Sequence, residues 1–273
     1  MKKILLAFDS TNFSTGVLEF ARRLNEISPV LLTGVFLPQV DYANLWSYAH
    51  GSAGFFIPLI EDEQSVEVEK NIERFQSFCQ NNNIDYRVHK DFSEFALPQL
   101  KKETRYADLL IIGSETFYEK MGTEEINLYL RDALQEAECP VLVVPENFTF
   151  PERIVLSFDG SESSVYAIKQ FSYLFPELCG NDTLLVYAKD EAEESFPDEE
   201  QVAELAARHF SNLTLSKLSI NPQKYFSTWV SEEQSAILIS GAFGRSSFSL
   251  LFKKSFVADV IKAHRLPVFI AHK

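Results

Sequence analysis

The chain states one pattern twice. Ile4-Leu5-Leu6-Ala7-Phe8-Asp9 returns as Ile154-Val155-Leu156-Ser157-Phe158-Asp159, each followed by a Ser/Thr/Asn- or Ser/Gly-rich turn and a helical pattern. Both copies close alike: Cys139-Pro140-Val141-Leu142-Val143-Val144 answers Leu266-Pro267-Val268-Phe269-Ile270-Ala271. A period this long denotes two copies of a domain rather than a solenoid, and 273 residues suffice for two cores. The repeat also supplies an internal control. Where one copy keeps a functional feature and the other lacks it, the difference marks the working site.

Within each copy, short apolar runs alternate with helical periodicity. The first copy predicts strands at 3–8, 30–37, 84–89, 108–112 and 141–145, with helices between. Phe13, Val17, Phe20, Ala21, Leu24 and Ile27 share one helix face, as do Val68, Ile72, Phe75 and Phe78 on a helix over 64–81. Further helices are predicted at 94–105 and 124–138. The second copy repeats the order, with strands at 154–158, 183–188, 213–219, 236–240 and 267–271. Its helices are one with Val165, Ile168, Phe171 and Phe175 inward, then 198–210, 222–233 and 247–264. Alternation at this spacing means α/β: two tandem Rossmann-like domains, each an open five-stranded parallel sheet with helices on both faces. The boundaries fall at 1–147 and 151–273, with a short link holding Pro151.

Composition removes several function classes. The net charge of −14 argues against nucleic-acid or anionic-membrane partners, which need a basic footprint. No apolar run is long enough to span a bilayer, and no signal-peptide core follows Lys2-Lys3, so a cytoplasmic location is expected. Cys79, Cys139 and Cys179 form no C-x-x-C pair and read as idle thiols; the five histidines lack ligand spacing, so no metal is assigned.

The copies diverge in two places. Asp9 to Gly113 spans 104 residues and Asp159 to Gly241 only 82; most of the difference falls at 38–62, with Tyr42, Trp46, Tyr48, Phe55 and Phe56. Such an insertion reads as a loop folded over its own domain, or as a lid or protein-contact surface. The second divergence follows the fourth strand. In open parallel sheets, ligands bind beyond the carboxyl ends of the strands. There the second copy reads Ser240-Gly241-Ala242-Phe243-Gly244-Arg245, with Lys254-Ser255-Phe256 ten residues after Gly244. Glycines allow tight turning and close approach, and a following helix start favours an anion. Residues 245–265 carry Arg245, Lys253, Lys254, Lys262 and Arg265 against Asp259 alone. The plain alternative is a simple turn before a basic helix face. At the matching place the first copy has Gly113-Ser114-Glu115-Thr116, no second glycine in step, and seven acids over 115–138 against Lys120 and Arg131.

These residues resemble the universal stress protein family in its tandem two-domain form. The match spans nearly the whole chain through Phe158-Asp159-Gly160-Ser161, Gly241-Ala242-Phe243-Gly244-Arg245 and the closing Leu266-Pro267-Val268 and Cys139-Pro140-Val141. Nucleotide-binding members carry G-x2-G-x9-G-[ST]. Gly241, Gly244, the spacer 245–253 and Ser255 fit that motif, and Lys254 stands where its third glycine belongs. The resemblance implies ATP or another adenine nucleotide, with magnesium accompanying it. Asp159 would lie near the adenosine, Gly241, Gly244 and the neighbouring Arg245 along the phosphates, and Ser255 and the backbone of Phe256 beyond them. Lys254 would either crowd the pocket or aid a phosphate. The resemblance further implies an internal pseudo-dimer through 141–145 and 267–271, homo-oligomers built from it, and a stress-response or signalling role in which the first domain serves assembly or contact with a protein partner. A scaffold with both nucleotide sites degenerate is the other reading. No Ser/His/Asp or Cys/His set stands at catalytic positions, and slow ATP hydrolysis is the most the sequence would support.

Overall fold

The computed structural model describes residues 1–9, 13–37, 62–90, 96–115, 128–190, 195–241 and 256–271. Most of the aromatic insertion (38–61), and Gly244, Arg245, Lys254 and Ser255 within 242–255, lie outside the described residues. Ten strands form one sheet. In the first half they are β1 (Lys2–Asp9), β2 (Val30–Leu37), β3 (Asp85–Lys90), β4 (Leu109–Gly113) and β5 (Val141–Val144). The second half supplies β6 (Arg153–Ser157), β7 (Asp182–Lys189), β8 (Leu213–Ser219), β9 (Ala236–Gly241) and β10 (Val268–Ala271). The order is β3-β2-β1-β4-β5-β10-β9-β6-β7-β8. Pairing is parallel within each half and antiparallel at the join, where Val268, Phe269 and Ile270 face Val143, Leu142 and Val141. That is the pairing the resemblance implies.

The described helices sort onto two faces. On one lie α1 (Thr15–Ile27), α2 (Asp62–Asn81), α5 (Glu162–Leu174) and α6 (Glu199–His209). The other carries α3 (Ala96–Thr104), α4 (Leu128–Glu136), α7 (Pro222–Ser231) and α8 (Phe256–Lys262). Strand residues alternate between the two cores. Phe269 and Ala271 join the first, while Val268 and Ile270 join the second. A strand covered on both faces must be apolar at every position, which explains the unbroken runs in β4, β5 and β10.

Local signals set the helix starts. Ser14 and Ser161 are equivalent N-caps, accepting from the backbone N–H of Val17 and of Ser164, both at 3.2 Å. α7 begins with Asn221 as cap and Pro222 in the first turn, where a missing N–H costs nothing. The predicted helix faces are buried except at their ends. Ile27, placed inward by periodicity, is 43% exposed because α1 ends there and the chain turns away at Ser28. Phe13, Phe78 and Val165 are only partly buried against the core.

Both cores cross the join, so the halves share their interiors. Phe148 and Phe150 of the link pack on Phe20 of α1, with ring centroids 5.4 and 5.1 Å apart. Lys2 pairs with Glu177 at 3.3 Å. The three thiols are buried and unpaired, and burial pushes them up to about 12 for Cys79 and Cys139 and about 11 for Cys179, far from thiolate reactivity.

Phe269 sits at the centre of this join, fully buried and in edge contact with Phe171 at 5.3 Å. Phe269→Ala is expected to cost about 3–5 kcal/mol. Because the cores are shared, hydrogen exchange should accelerate together in β1 and β6. Protection kept in one half and lost in the other would contradict this.

Candidate functional site

The second half opens a cavity of about 260 Å³ where β6, β7 and β9 end. Its polar rim includes Asp159, Lys189, Gln223 and Ser240; its apolar wall includes Val186, Ala188, Phe226 and Val257. This is the edge of a parallel sheet at which ligands are expected. The chain reaches it by a short turn. Gly160 adopts a left-handed φ of +82°, which a glycine takes without strain. Asp159 Oδ1 accepts the Ser161 N–H at 2.9 Å, fixing the aspartate at the strand end. Phe196 stacks on Phe158 at 5.7 Å and contacts Tyr187 at 5.3 Å, which packs the far side of the strand ends.

Three of the six residues singled out in the sequence meet here: Asp159, Gly241 and Phe256 all line the cavity. Gly244, Arg245 and Ser255 lie outside the described residues. The described chain lines the cavity at Gly241 and again at Phe256, whose ring centroid is 4.4 Å from that of Phe226.

Gly241 has a second reason to be glycine. A Cβ built there would overlap the backbone of Ser163 and Ser164, because β9 ends against the first turn of α5. Gly113 holds the matching place on β4, where a Cβ would lie 3.3 Å from Ser14 Cβ in the cap of α1. Packing therefore requires the strand-end glycine in the second half, whereas in the first half a Cβ would make a tight contact with a side chain.

No family model and no curated protein matches the sequence. Among solved structures, the chain is similar to a universal stress protein from Archaeoglobus fulgidus DSM 4304, at 14% identity and a TM-score of 0.74. That match covers 100% of this chain and 96% of the other. A protein of unknown function from Pseudomonas aeruginosa PAO1 is similar at 11% identity and a TM-score of 0.59, covering 100% and 92%. The fold is that of the universal stress proteins.

Within this universal stress protein fold, the first half treats its strand ends differently. Glu146, just past β5, turns its carboxylate onto the start of α1. It accepts from Ser14 Oγ at 2.6 Å, the Thr15 N–H at 2.9 Å, the Gly16 N–H at 3.2 Å and Thr15 Oγ1. A carboxylate at a helix N-terminus satisfies free N–H groups and complements the helix dipole. Burial pushes this carboxyl up, but the bonds from Ser14, Thr15 and Gly16 outweigh it and hold the group below its ordinary value. The Glu146 N–H in turn donates to Glu115 at 2.9 and 3.0 Å. Ser114 Oγ donates to Glu115 at 3.0 Å and lies 2.7 Å from His264 Nδ1 of the second half. A hydroxyl has one proton; with it on Glu115, His264 is the donor to Ser114.

Sequence reasoning gave Glu146 and His264 no role. It counted Glu115 only as one of seven acids over 115–138, and the structure makes Glu115 an acceptor that ties β4 to the link. Only Ser14, as an N-cap three residues before Val17, carried a local signal.

Two outcomes follow. Glu146→Gln should destabilise the protein by about 1 kcal/mol at pH 7, the scale of a lost cap. A lowered folded-state pKa gives stability that is full above the unfolded-state pKa and lost as pH falls through the folded one. The difference between wild type and Glu146→Gln in urea unfolding should thus shrink toward pH 3; a constant gap would refute the assignment. Gly241→Ala should cost about 2 kcal/mol or more through overpacking, and Gly113→Ala clearly less, by thermal melts of the two variants side by side.

Proposed function

We propose that the second half binds an adenine nucleotide in the cavity between Asp159, Gly241 and Phe256, and that the first half serves assembly or contact with a protein partner in a stress-response or signalling role. The observation that carries this reading is the convergence of those three residues on one cavity at the carboxyl ends of β6, β7 and β9.

The lining suits the parts of such a ligand. Val186, Ala188, Phe226 and Val257 offer apolar surface for a base. Asp159 Oδ1 already holds the Ser161 N–H, and the carboxylate's remaining acceptor capacity suits ribose hydroxyls. At about 260 Å³ the cavity lies just below the usual ligand-pocket range and suits the nucleoside portion. The phosphates would then belong to the segment running from Gly241 to Phe256, with Gly244, Arg245 and Ser255 on it. Among the described residues no group of three or more His, Cys, Asp or Glu could hold a metal ion. Among the described residues no helix is long and apolar enough to cross a membrane.

Calorimetric titration with ATP and with AMP tests the reading, together with mass spectrometry of any small molecule released on denaturation. Binding is expected, and Asp159→Ala should weaken it about tenfold, equivalent to about 1.4 kcal/mol. Lys254→Gly should strengthen ATP binding if the lysine obstructs the phosphates and weaken it if the lysine is a ligand. No released nucleotide, with no heat at millimolar ATP, would sink the nucleotide reading and leave a scaffold whose sites are both degenerate.

A further inference from the structure

We propose that α8 couples the second half's cavity to the first half, with His264 as the positioning residue at the contact. Regulation by ligand rests on the nucleotide reading of the cavity; the mechanical link does not.

The two ends of one short helix touch the two places that matter. Phe256 and Val257 open α8 and line the cavity. Its body is locked in the core through Val257, Ala258, Val260 and Ile261, all buried, so the helix moves as a unit with its packing. Just past its end, His264 holds a left-handed φ of 49°, and its Nδ1 meets Ser114 Oγ across the join at 2.7 Å. Ser114 is buried and sits at the end of β4, beside Glu115. From there the bonds continue through Glu115 to the Glu146 N–H, and through the Glu146 carboxylate to Thr15 and Gly16 of α1. A shift of α8 at the cavity end therefore loads a hydrogen-bonded chain that ends on the first half's leading helix. The antiparallel join makes this feasible, because it sets the amino end of β10 level with the carboxyl end of β4, with only β5 between them.

Hydrogen exchange read peptide by peptide tests the link, with 108–115 and 141–148 as reporters and 213–219 as a control. In the ligand-free protein, Phe256→Leu should raise exchange at the reporters at least threefold beyond the control, and His264→Gln should abolish that response. Reporters that follow the control in Phe256→Leu would overturn the coupling whether or not any nucleotide binds. With ATP added to wild type, the reporters should slow. Reciprocity then requires His264→Gln to change the ATP dissociation constant about fivefold, at the low end of typical couplings. ATP binding that leaves both the reporters and this constant unchanged would overturn the ligand arm. Absence of ATP binding would overturn that arm together with the nucleotide reading, while the Phe256→Leu result would still decide the mechanical link.

Discussion

Everything distinctive about this molecule depends on one antiparallel contact, that of β5 with β10. Each half alone would be a parallel sheet with its last strand at an open edge, a row of unpaired backbone groups. Joining the two last strands removes both edges and leaves only β3 and β8 at the margins of the ten-stranded sheet. The burial patterns follow from that order. Every residue of β5 and of β10 is buried, whereas β3 and β8 alternate between exposed and half-buried positions. The direction of the join has a geometric result as well. The carboxyl end of one half lies beside the amino end of the other, so the two ligand-type edges face opposite ways. Among the described residues the cavity's lining comes from the second half alone, and the two halves meet through the packed elements at the join.

The fold was legible because parallel strands covered on both faces leave an unambiguous trace. β1, β4 and β9 are largely apolar runs ending in Asp or Gly, β6 is one that ends at Ser157 just before Phe158-Asp159, and their helices carry apolar residues at 3.6-residue spacing. Periodicity was less informative at helix ends. It placed Ile27 inward, but the last turn of α1 has left the core by then. The site was legible in part, for a topological reason: Asp159, Gly241 and Phe256 lie at strand ends or a helix start, so the strand order alone brings them together. Glu146 and His264 could not be found that way. Their partners lie 131 and 150 residues away in sequence, and no local pattern of spacing or charge reports such a contact.

The strand-end glycines show how a motif position can carry a packing duty beside the one its pattern suggests. Gly241 fits a phosphate-loop pattern, and the sequence argument took it as a place for close approach to a ligand. The structure gives it a prior duty, since β9 abuts the first turn of α5 and excludes any side chain. Gly113 meets the cap of α1 in the same place although the first half lacks the rest of the motif. A glycine at this strand end is thus shared by both copies and discriminates little. The discriminating residues are those that the second copy alone has beyond it, Gly244, Arg245 and Ser255, together with Lys254 at the departure from the pattern.

The first helices of the two halves complete the comparison. Both start from the same serine cap, yet among the described residues only α1 receives an acid from elsewhere in the chain. Free N–H groups at a helix start attract an anion, and in the first half that attraction is satisfied internally by Glu146. The acid opens the link just past β5, so the same bond fastens the segment joining the halves to the first half's leading helix. Pro145 and Glu146 also approach Gly16 so closely that no side chain would fit there, which locks the link against α1 sterically as well as electrostatically. One of the acids counted over 115–138, Glu115, belongs to the same arrangement by accepting the link's own N–H.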